Sequence, residues 1–504
     1  MTDAENPAAA ADAAADSGDD IEQVDVVVVG MGPGGEYVAG TLAEAGLDVV
    51  GVDRELLGGE CPYWGCVPSK MMVRAGDLLA EAWRVPGMAG DVTVKPDWTL
   101  VAQRIRDEAT DDWDDAAAVE RFEGQGGRFV RGVGRVVGPG RVAVRAVERR
   151  HGPGSTDGRT HPPVDDTAGP AGTEAAGGTV FQARKAVVIA TGSRPAIPPI
   201  PGLAQVPYWT NRQAIESAEL PSSLVVLGGG SIGVELGQVY ARFGVAVTVV
   251  EASDRLIARE EPEAGDLLAE VFDREGITVH TGAKATSVQG SASAVAVELA
   301  DGRTIEAEKV LVATGRRVDL AALGVGALGI DEDGRALEVD DHLRAADGVW
   351  AVGDVTGKGA FTHVAMYQGR IAAADILGQG PAPAEYHALP RVTFTDPEVG
   401  AVGLTEAQAR EQGLDVRTGM VPLGEVARGW IHKAGNDGLI KVVADADRGV
   451  LVGATTMGPV GGEMVGLLAL AVHARVPIEV LQRMIYAYPT FHRGIEDALR
   501  QIPL

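Results

Sequence analysis

The sequence predicts an α/β fold with two dinucleotide-binding units. Three observations carry that prediction: a strand, glycine turn, helix and strand in succession near the start of the chain, the return of the same pattern in its middle, and a length too great for one core. The first pattern runs VDVVVVGMGPGGEYVAGTLAEAGLDVVGVD from Val24. Its β-branched run reads as a buried parallel strand, the following residues recur with helical spacing, and a second strand closes on Asp53. Gly30 permits the tight turn, Gly32 lets backbone amides approach a pyrophosphate at the helix start, and Gly34 beside them is a further candidate for the cofactor site. Gly35 lets the helix pack on the strand, and Asp53 can accept from a ribose hydroxyl.

The second pattern, SLVVLGGGSIGVELGQVYARFGVAVTVVE, places Gly228, Gly230 and Gly233 in the same roles, with Ser231 opening the helix. Glu251 stands as far beyond Gly228 as Asp53 does beyond Gly30. Its carboxylate would bond a ribose 2′-hydroxyl and repel a 2′-phosphate, which favours NAD(H) over NADP(H); nearby Arg255 tempers that preference.

With 504 residues, 45% hydrophobic and 23% charged, the chain can divide into several domains. Its 44 basic and 71 acidic residues leave a net charge of −27, which repels phosphate backbones and anionic lipid, so neither nucleic acid nor membrane is expected as a partner. No apolar run reaches the ~18 residues that span a bilayer, and the opening MTDAENPAAAADAAADSGDD lacks the features of a secretory signal, so a cytoplasmic location is expected. Residues 1–20 should form a disordered acidic tail, and 148–178, rich in Gly, Pro, Thr and Asp, a flexible insertion.

The segment GGECPYWGCVPSK, residues 58–70, holds Cys61 and Cys66, the only 2 cysteines in the chain. No second cysteine pair exists to complete a structural zinc site, so no metal is expected, and a bridge across so short a loop would add little chain-entropy stabilisation. Redox chemistry beside a flavin is the better reading. Pro68 precedes the expected helix SKMMVRAGDLLAEAW, whose N-terminal dipole would favour a thiolate at the neighbouring cysteine. Tyr63 and Trp64 add bulk to this loop, as an aromatic wall for a flat acceptor or as packing. Two similar strand ends, VVIATGSRP with Thr191 and Gly192 and VLVATGRRV with Gly315, stop at small-residue turns that return the chain beside a cofactor. In GVWAVGDVTG, Gly353 and Asp354 follow a short strand; the carboxylate could accept from a polyol chain or cap the next helix.

Together with RVTFTDPEVGAVGLTE at 391–406, these motifs resemble the FAD-dependent pyridine nucleotide-disulfide oxidoreductases, the group of dihydrolipoamide dehydrogenase, glutathione reductase and mercuric reductase, over residues 21–504. The resemblance implies Rossmann-like FAD and NAD domains followed by an α+β dimerisation domain. The corresponding division is 21–207 for FAD, 208–337 for NAD, 338–385 for a central segment completing the FAD site, and 386–504 for dimerisation. It further implies a homodimer with an active site shared between subunits. FAD would be held by the first glycine motif with Gly59, Lys70, Thr191, Gly192, Gly353 and Asp354. NAD(H) would be held by the second motif with Gly315.

Family roles would make Cys66 the thiol facing the flavin and Cys61 the one exchanging with substrate, with Lys70 and Glu235 as a charge pair nearby. Ser231 falls where several relatives carry a tyrosine covering the nicotinamide pocket. The closing segment YAYPTFHRGIEDAL departs from the family: Tyr488 stands in place of the acid–base histidine, and Arg493 in place of its glutamate. A phenol with an ordinary pKa near ~10 is a poor base at neutral pH. His492, one turn beyond Tyr488 if the segment is helical, could supply an imidazole from a shifted position. The expected activity is therefore NAD(P)H-dependent reduction of a small-molecule disulfide with an altered acid–base site. The alternative is transfer to a quinone or other acceptor, as in mercuric reductase, with the cysteines auxiliary.

Overall fold

The structure, a computed structural model, describes residues 21–147 and 178–502. The expected acidic tail and nearly all of the expected insertion lie outside the described residues. Three sheets organise the fold. The first has seven strands and centres on Ile21–Val29, which lies parallel to both Val49–Asp53 and Thr179–Ile189. The much later strand Val349–Ala351 adds in parallel to Val187–Ile189, bringing Gly353 and Asp354 back beside the first glycine turn. The β-branched runs sit here because both faces of the sheet are covered: Val26, Val28 and Val188 face one core, Val27, Val29 and Val187 the other.

The second sheet is parallel, in the order Lys309–Val312, Ser223–Leu227, Ala246–Val250 and Thr278–His280. A three-stranded antiparallel sheet, Ala285–Gly290, Val295–Leu299 and Thr304–Ala307, packs beside it. The exits of the two ATG turns meet as a short ribbon, Arg194–Pro195 against Arg316–Arg317. The C-terminal region is a five-stranded sheet, antiparallel throughout, from Pro390–Thr393 to Val450–Gly458, with the helix Gly461–His473 across it.

Two helix contacts position the site. The helix Pro33–Glu44 packs on Thr362–Ile376, and the helix Cys66–Arg84 packs on Ser231–Arg242, where Gly76 lets the backbones approach. The helix carrying Cys66 is thereby seated on the helix that opens the second nucleotide unit.

Candidate active site

Both glycine turns obey one steric rule. Gly30 and Gly228 have φ of +96° and +113°, and a Cβ on either would run into the carbonyl of the alanine in an ATG turn, Ala190 or Ala313. Gly35 and Gly233 each lie against the carbonyl of the first glycine in their own motif, so any side chain there would lift the helix from its strand. The two helices start at Gly32 and Gly230 with no side-chain cap, which leaves their first amides to a ligand. Those uncapped glycine starts fit the pyrophosphates of two dinucleotides.

The terminal acids repeat each other as closely. Asp53 accepts from the amides of Met31 (2.7 Å) and Glu55 (2.8 Å), and Glu251 accepts from Gly229 and Ser253, both at 2.6 Å. Each carboxylate thus ties the glycine turn to the loop beyond its strand, a bond that spacing alone did not disclose. Burial raises the Asp53 carboxyl above its ordinary range despite the two amides. Arg255 is turned to its own loop, donating to the Ala258 carbonyl at 2.9 Å and pairing with Asp254 at 3.2 Å.

Gly59, with φ +68°, opens a single turn, Glu60–Tyr63, that carries Cys61. The long helix then begins at Cys66, before Pro68 rather than after it as expected, because a proline in the first turn has no amide that needs a partner. Cys66 therefore sits inside the first turn of a 19-residue helix. Its thiol lies 3.3 Å from the hydroxyl of Thr362, at the start of another helix. The bond from Cys61, that hydroxyl and the charge of Lys70 bring the Cys66 thiol down to about 6, against partial desolvation of its sulfur, although the residue as a whole is exposed. Cys61 moves the other way, upward, because it keeps the shared proton and is itself part-buried. The pair thus holds its negative charge on Cys66 and its proton on Cys61.

Lys70 and Glu235 come together at 2.6 Å. The other Glu235 oxygen accepts from the Phe394 amide at 2.8 Å, and the Lys70 ammonium lies 4.6 Å from the Phe394 ring centre. Ser231, on the same helix as Glu235, shares a 2.8 Å hydrogen bond with Thr393, and Phe394 remains half-buried beside it. Asp354 accepts from the Ser193 hydroxyl at 2.5 Å and caps no helix: the next one begins at Thr362 after an uncapped Phe361. Trp64 is buried in packing, whereas Tyr63, though mostly buried, forms part of the wall of the cavity beside Cys61. A cavity of about 740 Å³ reaches Cys61 and Thr362 between Tyr37, Val67 and Met366.

The closing segment is not helical between Tyr488 and His492. Tyr488 lies in a turn and the helical residues begin at Phe491, so His492 is not stacked one turn above it. Its ring sits 6.1 Å from that of Tyr486, while the Arg493 guanidinium lies 5.7 Å from the Tyr488 ring centre. Tyr488 is 71% exposed in the single chain. Thr362, which touches Cys66, was missed in the sequence, because a threonine opening a helix looks like any other.

Residues 24–369 match the pyridine nucleotide-disulphide oxidoreductase model and 389–499 the dimerisation domain of the same enzymes. The chain belongs to that family. It is therefore an FAD-dependent oxidoreductase of the class that uses NAD(P)H and acts on sulfur groups, and its dimerisation domain supports a homodimer. It is 35% identical to a dihydrolipoyl dehydrogenase of Halobacterium salinarum over 95% of this chain and 96% of that one. To a mercuric reductase of Streptomyces lividans it is 32% identical, over 94% and 95%. Among solved structures, LpdA from Mycobacterium tuberculosis superimposes with a TM-score of 0.77 at 27% identity, over 95% of this chain and 99% of that one. The Cu(II) complex of the HOCl-induced flavoprotein disulfide reductase RclA from Escherichia coli gives 0.79 at 24%, over 95% of this chain and 99% of that one, a likeness of fold. Among the described residues no helix is long and apolar enough to cross a membrane.

Proposed function

We propose that this enzyme reduces a low-molecular-weight disulfide at the expense of NADH, through FAD and a Cys61–Cys66 couple. One observation carries the reading: the Cys66 thiol, in the first turn of a long helix and 3.3 Å from Thr362, is brought down to about 6 beside a protonated Cys61. FAD, when bound, would supply the hydride acceptor for NADH and the two-electron donor for the sulfur couple. The remaining chemistry belongs to the chain. The uncapped helix starts at Gly32 and Gly230 would hold pyrophosphates, and Asp354, which accepts from Ser193, would accept from the polyol of FAD. Glu251 disfavours a 2′-phosphate, and Arg255 is engaged by Ala258 and Asp254 of its own loop; both support NADH over NADPH.

Cys61, which keeps the proton, must lose it to attack a disulfide sulfur, and the cavity beside it admits the acceptor. Tyr488, contributed by the second subunit of the homodimer, is read as the group that stands at this proton transfer in place of a histidine. Exchange assisted by a phenol is expected to be slow, so Tyr488→His should raise disulfide turnover by roughly 10² if the missing imidazole limits it.

The second reading, a quinone as acceptor, is favoured by Ser231, a small side chain where several relatives carry a tyrosine over the nicotinamide pocket, and by the half-buried ring of Phe394, next in sequence to its partner Thr393. Steady-state assay of Cys61→Ser separates the two. Loss of disulfide reduction supports the first, and quinone reduction that persists supports the second for that acceptor. A wild-type enzyme that reduces no disulfide contradicts the first.

A further inference from the structure

The geometry points to Glu60 as a positioning residue that fixes the dithiol–disulfide balance of the neighbouring cysteines. It rests on the reading that Cys61 and Cys66 form a redox couple. Glu60 immediately precedes Cys61 in the single turn Glu60–Tyr63, a unit too short to hold its own shape. Its two carboxylate oxygens are taken by arginines from two different elements. Arg212, on the helix Asn211–Glu216, reaches one oxygen at 3.0 Å, and Arg316, on the strand leaving the second ATG turn, reaches the other at 2.7 Å.

Neither arginine is free to follow the loop. Arg212 also pairs with Glu55 at 2.7 Å and lies 4.3 Å from the centre of the Trp64 ring, and Arg316 donates to the Ser193 hydroxyl and carbonyl at 2.7 and 2.6 Å. The far end of the loop is tied to the same helix, since Asn211 donates to the Trp64 carbonyl at 2.7 Å and the Trp64 indole donates to Glu216 at 2.6 Å. All three charged groups of the clamp are three-quarters or more buried, with side-chain exposures of 25%, 25% and 20%. Charge-assisted bonds in such surroundings hold geometry better than surface pairs do.

The consequence concerns the cysteines. A disulfide between two thiols is favoured by their effective concentration, which falls when the chain that presents one of them is released. Glu60→Ala frees the turn carrying Cys61 while leaving Cys66 on its helix, so the balance should move toward the dithiol.

The test equilibrates the flavin-loaded protein in dithiothreitol redox buffers and counts thiols at Cys61 and Cys66 by alkylation and mass. Exchange breaks the Cys61–Cys66 bond, closes the ring disulfide of dithiothreitol, and carries two electrons and two hydrogens to the protein, of which Cys66 releases a proton at neutral pH. Glu60→Ala should favour the dithiol by roughly tenfold, which is about 30 mV for a two-electron couple. Glu60→Gln, which keeps the shape and serves if the alanine variant does not fold, should shift it in the same direction by less. Glu55→Gln removes the other anion of Arg212 without touching the cysteine turn; it should lower the melting temperature and leave the balance in place. A wild-type balance in both Glu60 variants, or an equal shift in Glu55→Gln, overturns the role. A wild-type protein whose two cysteines form no disulfide at any buffer ratio overturns the redox couple itself.

Discussion

The two dinucleotide units are near copies in backbone and differ in what is built on them. Each has a first glycine with positive φ against an ATG alanine, a glycine-started helix with no cap, and a terminal acid that accepts two amides. The first unit continues into the cysteine turn, and Val349–Ala351 brings Asp354 back to it. The second continues into no such loop; its helix instead presents Ser231 and Glu235 to Thr393, Phe394 and Lys70. The shared parts are dictated by sterics and by helix starts without a side-chain cap, whereas the differences lie in the loop and side chains that each unit carries. Lys70 and Glu235 join the two, one charge from each helix.

The largest effect expected from this comparison follows from the glycine turns. Gly30→Val should abolish FAD retention, because the side chain meets the Ala190 carbonyl at a φ that a β-branched residue does not adopt. Gly228→Val should leave FAD bound and raise the KM for NADH by roughly 100-fold, as about 3 kcal/mol of strain and lost contact implies. Flavin content by absorbance and NADH kinetics measure both. Loss of flavin from the Gly228 variant would mean that the two units do not bind separately.

A smaller change tests the acids. Glu251→Ala removes the charge that repels a 2′-phosphate and should move the ratio of kcat/KM values toward NADPH by roughly tenfold, about 1.4 kcal/mol. Unchanged preference would move nucleotide choice from Glu251 to another group.

The smallest effect concerns the bridge between the units. Lys70→Met removes a charge that favours the Cys66 thiolate, and pairing it with Glu235→Gln avoids leaving a buried carboxylate alone, which would cost ~3–5 kcal/mol. Alkylation of Cys66 in the reduced wild type should rise with pH through about 6, and through a higher pH in the double variant. The sign for stability agrees: a lowered thiol value stabilises the fold above its unfolded value near ~8.5, and that contribution is lost as pH falls through about 6. A midpoint that does not move would remove Lys70 from the causes.

Much of this was legible because it depends on local necessity. Gly30, Gly228, Asp53 and Glu251 announce themselves by spacing, since turn, helix and strand leave few alternatives for those positions. The start of the helix at Cys66 was misjudged because Pro68 marks a first turn rather than the residue before one. His492 would lie one turn beyond Tyr488 only in a helical segment, and the chain runs extended at Thr490. The clamp of Glu60 by Arg212 and Arg316 was illegible for another reason. Its partners are far apart in sequence, and only the packing of the redox turn against the second nucleotide unit brings them within reach.

The central claim is that reducing equivalents from NADH arrive at Cys61 and Cys66. Anaerobic titration of the oxidised, FAD-loaded protein with NADH, followed by alkylation and peptide mass analysis, measures it directly. The account predicts that both cysteines become alkylated as NADH is consumed. A flavin that bleaches while both cysteines stay resistant to alkylation would contradict it.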